Sequence, residues 1–284
     1  MFVISKTHVG MVRTVNEDAL LTTGPELFAL ADGMGGYAAG ETASREALQV
    51  LQQEAEKFKE LTGTELCTAM RETVQQANKH IRQMAQSEVQ YHDMGTTLVA
   101  VYLAADGKAY AVNVGDSRLY TWSAGTLQQV TRDHSYVAEL LANGEITAQE
   151  AFKHPQKNII LRAVGAEDEL EVDCFTLELT ADTKLLLCSD GLSDMVDDSQ
   201  IAQLVAERKA FPCYFGSALG LVDRQIVGAI EQIKPDALQL AQMIRSLPSA
   251  KGVPEDILDF VTGPWAGVIA QAQQRAEPGQ ERDP

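Results

Sequence analysis

The chain has 284 residues, of which 23 are Lys or Arg and 40 are Asp or Glu, giving a formal net charge of −17. That charge argues against a surface built to bind nucleic acid or anionic lipid. Hydrophobic residues make up 45% of the sequence and charged residues 22%, which is typical of a globular protein with material for a sizeable core and excludes a disordered chain.

The sequence carries no obvious targeting segment. Its first residues contain neither a basic leader nor an apolar stretch of signal-peptide length, and no later run reaches the ~18 apolar residues of a membrane helix. We therefore expect a cytoplasmic monomer without nucleic-acid or membrane partners. The cysteines, Cys67, Cys174, Cys188 and Cys213, lie far apart without a C-x-x-C pair. This spacing predicts reduced, mostly buried thiols rather than a zinc site or a disulfide framework.

Short runs of β-branched and apolar residues predict strands in the first two hundred residues, separated by turn residues. The predicted strands cover residues 19–22, 27–32, 97–103, 108–114, 118–122, 127–130 and 184–189. Two longer stretches, 41–60 and 64–87, have apolar residues at helical spacing. Because strands stand on both sides of this helical pair, the order predicts an α+β fold rather than a βαβ fold.

Two regions depart from the strand-rich pattern. Residues 133–164 interrupt the strands with short helices predicted at 135–142 and 147–152, which indicates an excursion from the sheet. After residue 208 the pattern becomes helical. Helices are predicted at 223–233, 235–246 and 254–272, before a polar tail. We therefore predict a first domain over residues 1–208 and an atypical, mostly helical extension with a disordered tail over 209–284.

The most informative segment joins an apolar strand to a helix through the residues Asp32-Gly33-Met34-Gly35-Gly36. Glycines let the backbone pass close to another group, and an aspartate at a strand end directs a carboxylate into that space. Such a turn cradles a phosphate, places a carboxylate and a carbonyl on a hard divalent cation, or serves structure alone. Taken by itself, the segment leaves these three alternatives open.

Three further aspartates, Asp18, Asp116 and Asp190, also stand where an apolar strand meets a turn. Together with Asp32 they indicate carboxylates gathered at one edge of a sheet, where cations would relieve their repulsion. Oxygen ligands without clustered His or Cys favour Mg²⁺ or Mn²⁺ over Zn²⁺. The alternative is that all four are merely turn-forming residues, and their shared setting disfavours it.

The residues resemble the bacterial PPM-type (type 2C) metal-dependent protein serine/threonine phosphatases. The matching motifs follow the family's own order, and six in register over about 200 residues are specific. They are Val12-Arg13-x-x-Asn16-Glu17-Asp18, Ala31-Asp32-Gly33-Met34-Gly35-Gly36, Asp93-Met94-Gly95-Thr96-Thr97, Val114-Gly115-Asp116-Ser117-Arg118, Asp133-His134-Ser135 and Cys188-Ser189-Asp190-Gly191-Leu192. The resemblance implies a four-layer α-β-β-α sandwich of two antiparallel sheets flanked by helices, with residues 133–164 as a flap.

The resemblance also implies a metal centre that holds two Mn²⁺ or Mg²⁺ ions, or three. Asp32 matches the carboxylate that bridges two metals, and the Gly33 carbonyl matches a ligand of the second. Asp190 matches a ligand of the first metal, and Asp18 an acidic neighbour that binds metal directly or through water. Asp116 matches the aspartate that, with Asp190, supports a third metal.

Arg13 matches the family's phosphate-binding arginine, a role suited to a planar guanidinium that holds two phosphoryl oxygens. The implied reaction is hydrolysis of phosphoserine and phosphothreonine by a metal-activated water, without a protein nucleophile. Cys188, inside an apolar strand, is accordingly interpreted as a core residue. The implied partners are phosphorylated proteins, the targets of a eukaryotic-like Ser/Thr kinase, and the implied role is signal transduction.

The sequence departs from the family at two places. Bacterial members often carry a histidine after the Gly-Gly pair, where this chain has Tyr37. Members also close with an Asp-Asn motif that completes the first metal site, and this sequence contains no Asp-Asn pair, leaving Asp223 as a weak substitute. His134 and His154, in the flap, are interpreted as structural.

Three functions compete at this stage. The first is an active phosphatase. The second is a degenerate phosphatase that acts as a regulatory, phosphoprotein-binding module because the last metal-ligand aspartate is missing. The third is a nucleotide site at the glycine turn, disfavoured because no Lys-Ser/Thr follows the glycines as it does in a P-loop.

Overall fold

The computed structural model describes residues 2–9, 14–24, 26–35, 39–207 and 218–223. By its internal contacts the chain separates after Val227, and all of the described residues belong to the part before that point. The described strands are β1 Phe2–Thr7, β2 Asp18–Thr23, β3 Leu27–Met34, β4 Gly95–Thr96, β5 Leu98–Leu103, β6 Lys108–Val114, β7 Arg118–Ser123, β8 Thr126–Gln129, β9 Asp173–Glu178, β10 Lys184–Cys188 and β11 Ala218–Asp223. The described α-helices are α1 Ala39–Glu54, α2 Gly63–Ser87, α3 Tyr136–Ala142, α4 Ala148–Phe152, α5 Asp190–Ser193 and α6 Asp198–Glu207.

The strands form two antiparallel sheets. One has the order β1-β11-β10-β7-β8, and the other has the order β2-β3-β5-β6-β9, with β4 paired to β3. Side chains of β5 alternate between the two faces of its sheet, as the period of two in a strand requires. Val99 and Val101 pack with Leu185 and Leu187 of the opposite sheet, whereas Leu98 packs with the helices on the outer face. The hydrophobic core between the two sheets therefore contains side chains of β3, β6 and β10.

Helices cover both outer faces of the pair of sheets. On α2, buried Leu66, Met70, Val74 and Ile81 recur at helical spacing and pack with α1 on the six-stranded sheet. On the other side, a smaller cluster that includes Ile201 and other residues of α6 packs on the five-stranded sheet. The predicted four-layer α-β-β-α sandwich is confirmed. No helix in the described ranges is both long and apolar enough to cross a membrane.

The predicted strands and the paired long helices are all present, with shifts of a few residues at their ends. The helix predicted at 41–60 instead ends at Glu54 and continues as a 3-10 turn over Ala55–Phe58. The helices predicted near 135–142 and 147–152 correspond to α3 and α4. Strands β1, β4, β9 and β11 were not predicted.

The expectation of reduced thiols is wrong for two of the four cysteines. Cys67 on α2 and Cys174 on β9 form a disulfide with their Cα atoms 6.1 Å apart. Because 107 positions separate the two residues, their spacing in the sequence gave no sign that helix and strand pack together. Cys188 is a free, buried core residue, as predicted. Cys213 lies outside the described residues.

Strand β11 falls within the segment predicted as a helical extension. It pairs with both β1 and β10, so the first sheet includes residues beyond 208. An apolar run of six residues such as Ala218–Asp223 fits either a strand or a helix, and pairing decides between them. The helices predicted at 235–246 and 254–272 lie outside the described residues, as does nearly all of the helix predicted at 223–233.

Candidate metal centre

Four aspartates lie at one edge of the sandwich. Asp18 begins β2 and stands opposite Asp32 in the ladder between β2 and β3. Asp116 lies in the turn that carries the chain from β6 in one sheet to β7 in the other, and Asp190 begins α5 directly after β10. Register within one sheet and packing of the two sheets therefore bring together residues that are up to 172 positions apart in sequence, because 190 − 18 = 172.

The Asp32 side chain is half-buried, and its pKa is raised well above the usual value. Burial is the largest cause, followed by the negative charges of Asp18, Asp190 and Asp116, and by a hydrogen bond with Asp190. A hydrogen bond between two carboxyl groups requires one of them to hold a proton. The carboxylates at this edge are therefore not all ionised together unless a proton or a cation balances part of their negative charge.

Asp116 shows the same behaviour. Burial raises its pKa to about 8, and the charges of Asp190, Asp133 and Asp194 add to the shift. Asp18 accepts a hydrogen bond from the hydroxyl of Ser189 (3.3 Å), which joins the ends of β2 and β10. Electrostatic and hydrogen-bond contacts thus connect all four predicted aspartates.

The donor set at this edge fits a hard divalent cation, because it consists of carboxylate oxygens. A cation among the carboxylates would also relieve the repulsion that raises the pKa values of Asp32 and Asp116. Within the described ranges, no group of three or more His, Cys, Asp or Glu side chains is already arranged to hold an ion. The carboxylates are therefore gathered at one place but not preassembled as a coordination shell.

The glycine turn after Asp32 is closely packed. A Cβ atom on Gly33 would collide with the backbone of Gly40 at the start of α1 and come within 2.8 Å of the Glu17 carbonyl oxygen. The Gly33 N–H donates to that Glu17 oxygen (3.0 Å). Glycine is required here because the chain approaches two other backbone segments. Its role as a metal ligand through the carbonyl stays a prediction.

Thr97 links Asp32 to the turn that carries Asp116. The Asp32 N–H donates to the Thr97 hydroxyl oxygen (3.0 Å), and the Thr97 N–H donates to the Asp32 carbonyl (2.9 Å). The Thr97 hydroxyl also shares a 2.7 Å hydrogen bond with the hydroxyl of Ser117, next to Asp116. The motif containing Thr96 and Thr97 was recognised in the sequence, but nothing in the sequence indicated this bridging contact.

An ion pair borders the site on the other side. The Arg118 guanidinium donates to both carboxylate oxygens of Asp133, from Nε to Oδ1 (3.0 Å) and from Nη2 to Oδ2 (2.6 Å). Such a bidentate pair fixes geometry as well as charge. Asp133 and Asp194 both act on the pKa of Asp116, yet neither was predicted as a site residue. Asp133 lies in the loop before α3 and Asp194 at the end of α5. Aspartates are common in such positions on protein surfaces, so neither position indicated a site.

A cavity of about 400 Å³ opens between the carboxylate edge and the flap. Asp116 and Asp190 lie at its polar end, and Val137, Leu141 and Phe152 of α3 and α4 line its apolar wall. The segment predicted as a flap therefore borders the candidate site. The cavity accommodates a few side chains next to the carboxylates.

The remaining predicted residues have different outcomes. Arg13, the predicted phosphate ligand, and Tyr37 lie outside the described residues. His134 is buried and hydrogen-bonded, whereas His154 packs edge-on against Tyr136 in the flap. Asp223 ends β11 opposite Lys184, whereas Leu219 stands opposite Cys188 next to the site. The register places Asp223 about 13 Å further along the strand, so it is not a substitute ligand.

Comparisons with known proteins agree with this architecture. The model of the family described as protein phosphatase 2C matches residues 10–218. The serine/threonine phosphatase stp of Listeria monocytogenes is 44% identical over 184 residues, covering 63% of this chain and 71% of that protein. Protein phosphatase PhpP of Streptococcus pneumoniae is 35% identical over 241 residues, covering 81% and 97%.

Solved structures show the same similarity. The serine/threonine phosphatase PstP/Ppp of Mycobacterium tuberculosis superposes with a TM-score of 0.69 at 32% identity, covering 78% of this chain and 97% of that one. A structure of the PstP catalytic domain in complex with two manganese ions gives a TM-score of 0.66 at 31% identity, covering 78% and 96%. With matched motifs, sandwich and carboxylate edge in agreement, the chain belongs to the protein phosphatase 2C family of PPM-type serine/threonine phosphatases.

Proposed function

We propose that the protein is a metal-dependent phosphatase that removes phosphate from phosphoserine and phosphothreonine in proteins. The observation that carries the proposal is the gathering of Asp18, Asp32, Asp116 and Asp190 at one edge, with the pKa values of Asp32 and Asp116 raised. The relatives support it because stp and PstP are named serine/threonine phosphatases.

The proposed cofactor is Mn²⁺ or Mg²⁺, with two ions or three. The carboxylates of Asp32 and Asp190 and the Gly33 carbonyl would hold two ions, Asp18 would bind directly or through water, and Asp116 would support a third. When bound, divalent ions lower the pKa of a water molecule and neutralise phosphoryl charge. Support for the cofactor comes from the oxygen-only donor set and from the two manganese ions in the PstP structure.

The chain's own residues orient the substrate in this proposal. The Arg13 guanidinium holds two phosphoryl oxygens, which fixes the phosphorus for in-line attack. The polypeptide around the phosphorylated residue extends into the cavity beside Leu141 and Phe152. The proposed partners are cytoplasmic phosphoproteins modified by a eukaryotic-like Ser/Thr kinase, which places the protein in signal transduction.

The test is hydrolysis of p-nitrophenyl phosphate and of a phosphothreonine peptide, with Mn²⁺, with Mg²⁺ and after chelation. We expect turnover with either ion, none after chelation, and a loss of about 10³-fold in Asp190→Asn, because that carboxylate contacts Asp32. Glu178→Gln is the matched control, since its exposed carboxylate pairs with Lys108 at the far end of β9. Well-folded protein that gives no turnover in excess Mn²⁺ contradicts the proposal.

A degenerate phosphatase is the second candidate, and one observation favours it. No Asp or Glu occurs between residues 208 and 217, the segment before β11, and Asp223 lies at the other end of that strand. The first metal would then lack the carboxylate that the family's closing motif supplies.

Calorimetric titration with Mn²⁺ separates the two candidates. One resolved ion without turnover, together with binding of a phosphothreonine peptide, would establish the degenerate module. Two tight ions with turnover would eliminate it. In either case Asp223→Asn is expected to leave the number of bound ions unchanged.

A further inference from the structure

The motif Asp133-His134-Ser135 has no part in the proposed chemistry, yet His134 is only 7% exposed and reaches towards the metal centre. Two of its hydrogen bonds go to the backbone of Gly115. The His134 backbone N–H donates to the Gly115 carbonyl (3.0 Å), and the Gly115 N–H donates to Nδ1 of the His134 ring (3.1 Å). Both polar groups of Gly115 are thus held by one residue.

Gly115 directly precedes Asp116 in the turn between the two sheets. It has a φ of +98°, a conformation that favours glycine, and a Cβ atom there would lie 2.7 Å from the Thr97 side chain. A glycine cannot fix this conformation through a side chain of its own, so neighbouring groups must hold it. The buried Asn113 amide adds a second contact, donating to the Gly115 carbonyl at 3.3 Å.

The ring of His134 is itself oriented by a carboxylate. Because Nδ1 accepts the Gly115 N–H, a neutral ring carries its proton on Nε2, which lies 3.2 Å from Asp173 Oδ2 on β9. The guanidinium of Arg162 lies 3.4 Å from Nε2 and 3.7 Å from the other Asp173 oxygen, and it pairs with Glu171 as well. Because a guanidinium has no acceptor atom, the Nε2 proton is donated to Asp173 rather than to Arg162. Asp173 therefore fixes the tautomer that allows His134 to accept from Gly115.

We propose that His134 is a positioning residue that sets the direction of the Asp116 carboxylate by holding the backbone N–H and C=O of Gly115, with its tautomer fixed by Asp173. It touches neither substrate nor a reacting atom and acts only through Asp116. This inference rests on the proposed phosphatase function, in which Asp116 supports a metal.

Two substitutions separate this role from simple packing. In His134→Asn, the side-chain oxygen stands near the position of Nδ1 and still accepts from Gly115. In His134→Gln, the amide reaches towards Asp173 but the acceptor for Gly115 is lost. We expect His134→Gln to lower kcat by about tenfold, as the loss of one hydrogen bond to a positioned group allows, and His134→Asn by less than about threefold. Equal losses in the two variants would overturn the proposal.

A double-mutant cycle tests whether the effect passes through Asp116. In an Asp116→Asn background, His134→Gln should lower kcat by less than about twofold, because the carboxylate that it positions is already gone. Fully additive losses would mean that His134 acts elsewhere. Asp173→Leu is the second variant, at a half-buried position, and it should show a smaller loss that also vanishes in the Asp116→Asn background.

Amide hydrogen exchange in the metal-free protein gives a readout that does not depend on activity. The Gly115 N–H should stay protected in wild type and in His134→Asn and lose at least about tenfold of its protection in His134→Gln. Unchanged protection in His134→Gln would overturn the proposal for His134 whatever the turnover. Absence of turnover in the wild type, with Gly115 protection lost in His134→Gln, would instead contradict the phosphatase function alone.

Discussion

Asp32 and Asp116 occupy the same edge of the sandwich, but the molecule holds them by different means. Asp32 lies within an eight-residue strand, opposite Asp18, and its backbone is fixed by the ladder and by Thr97. Asp116 lies between two sheets, and its turn is held from outside by His134 and Asn113. The comparison shows that one carboxylate depends on sheet register and the other on side-chain contacts to the turn, one of them from His134, which lies 18 positions further along the chain.

The largest expected effect comes from replacing each carboxylate in turn. Asp32→Asn should lower kcat/KM by about 10³-fold or more, because Asp32 interacts with all three of the other aspartates. Asp116→Asn should cost about 10- to 100-fold, as expected for a group that supports the centre from one side. Steady-state kinetics in saturating Mn²⁺ measures both. A greater loss in Asp116→Asn would reverse the assignment of the central carboxylate.

The same difference explains what the sequence predicted. The place of Asp32 followed from an apolar strand that ends in an aspartate and a glycine turn, and all of these signals lie within ten residues. The supports of Asp116 did not follow, because His134 is 18 positions and Asp173 57 positions further along the chain, as 134 − 116 = 18 and 173 − 116 = 57. A local sequence pattern predicts a strand, whereas contacts between residues far apart in sequence form only when the sheets pack.

The last strand of the sandwich shows a second reason why parts of the fold could not be predicted from the sequence. Strand β11 has neighbours on both sides in the sheet, yet its six residues carry no periodicity that distinguishes strand from helix. The disulfide between Cys67 and Cys174 likewise depends on the packing of α2 against β9. Both features are set by tertiary pairing, so composition and spacing could not predict them.

Removing the disulfide should lower the stability of the fold, because the disulfide joins α2 to β9, the strand that carries Asp173. The segment that returns from the flap to β9 is held on α2 by Cys67, by Arg71 donating to the Val172 carbonyl (3.1 Å) and by Asn78 donating to the Glu167 carbonyl (2.8 Å). In the loop-entropy model, losing a cross-link over this separation lowers the free energy of unfolding by about 5 kcal/mol. The hydrogen bonds should keep the fold intact.

Urea denaturation of the Cys67→Ala/Cys174→Ala variant measures this loss. Dithiothreitol should destabilise the wild type to a similar extent and leave the variant unchanged, which makes the reductant a matched control. Peptide mapping without reductant should recover the Cys67–Cys174 pair. Absence of that linked peptide, or destabilisation of the variant by reductant, would contradict the disulfide.

The smallest expected effect is at Thr97, which contacts both the strand that carries Asp32 and the turn that carries Asp116. Its hydroxyl accepts from the Asp32 N–H and bonds to Ser117, so Thr97→Val leaves the buried N–H without its acceptor at almost unchanged side-chain volume. The free energy of unfolding should fall by about 1–3 kcal/mol. Thr97→Ser keeps the hydroxyl and loses one methyl group, so its cost should stay near 1 kcal/mol.

Chemical denaturation of both Thr97 variants, with kcat measured in parallel, tests whether this contact couples the two aspartates. The valine variant should lose activity as well as stability, because the strand that carries Asp32 and the turn that carries Asp116 are no longer joined through one hydroxyl. The serine variant should retain the activity of the wild type. If valine and serine lower kcat equally, the methyl group and not the hydroxyl matters, and the two carboxylates are held independently.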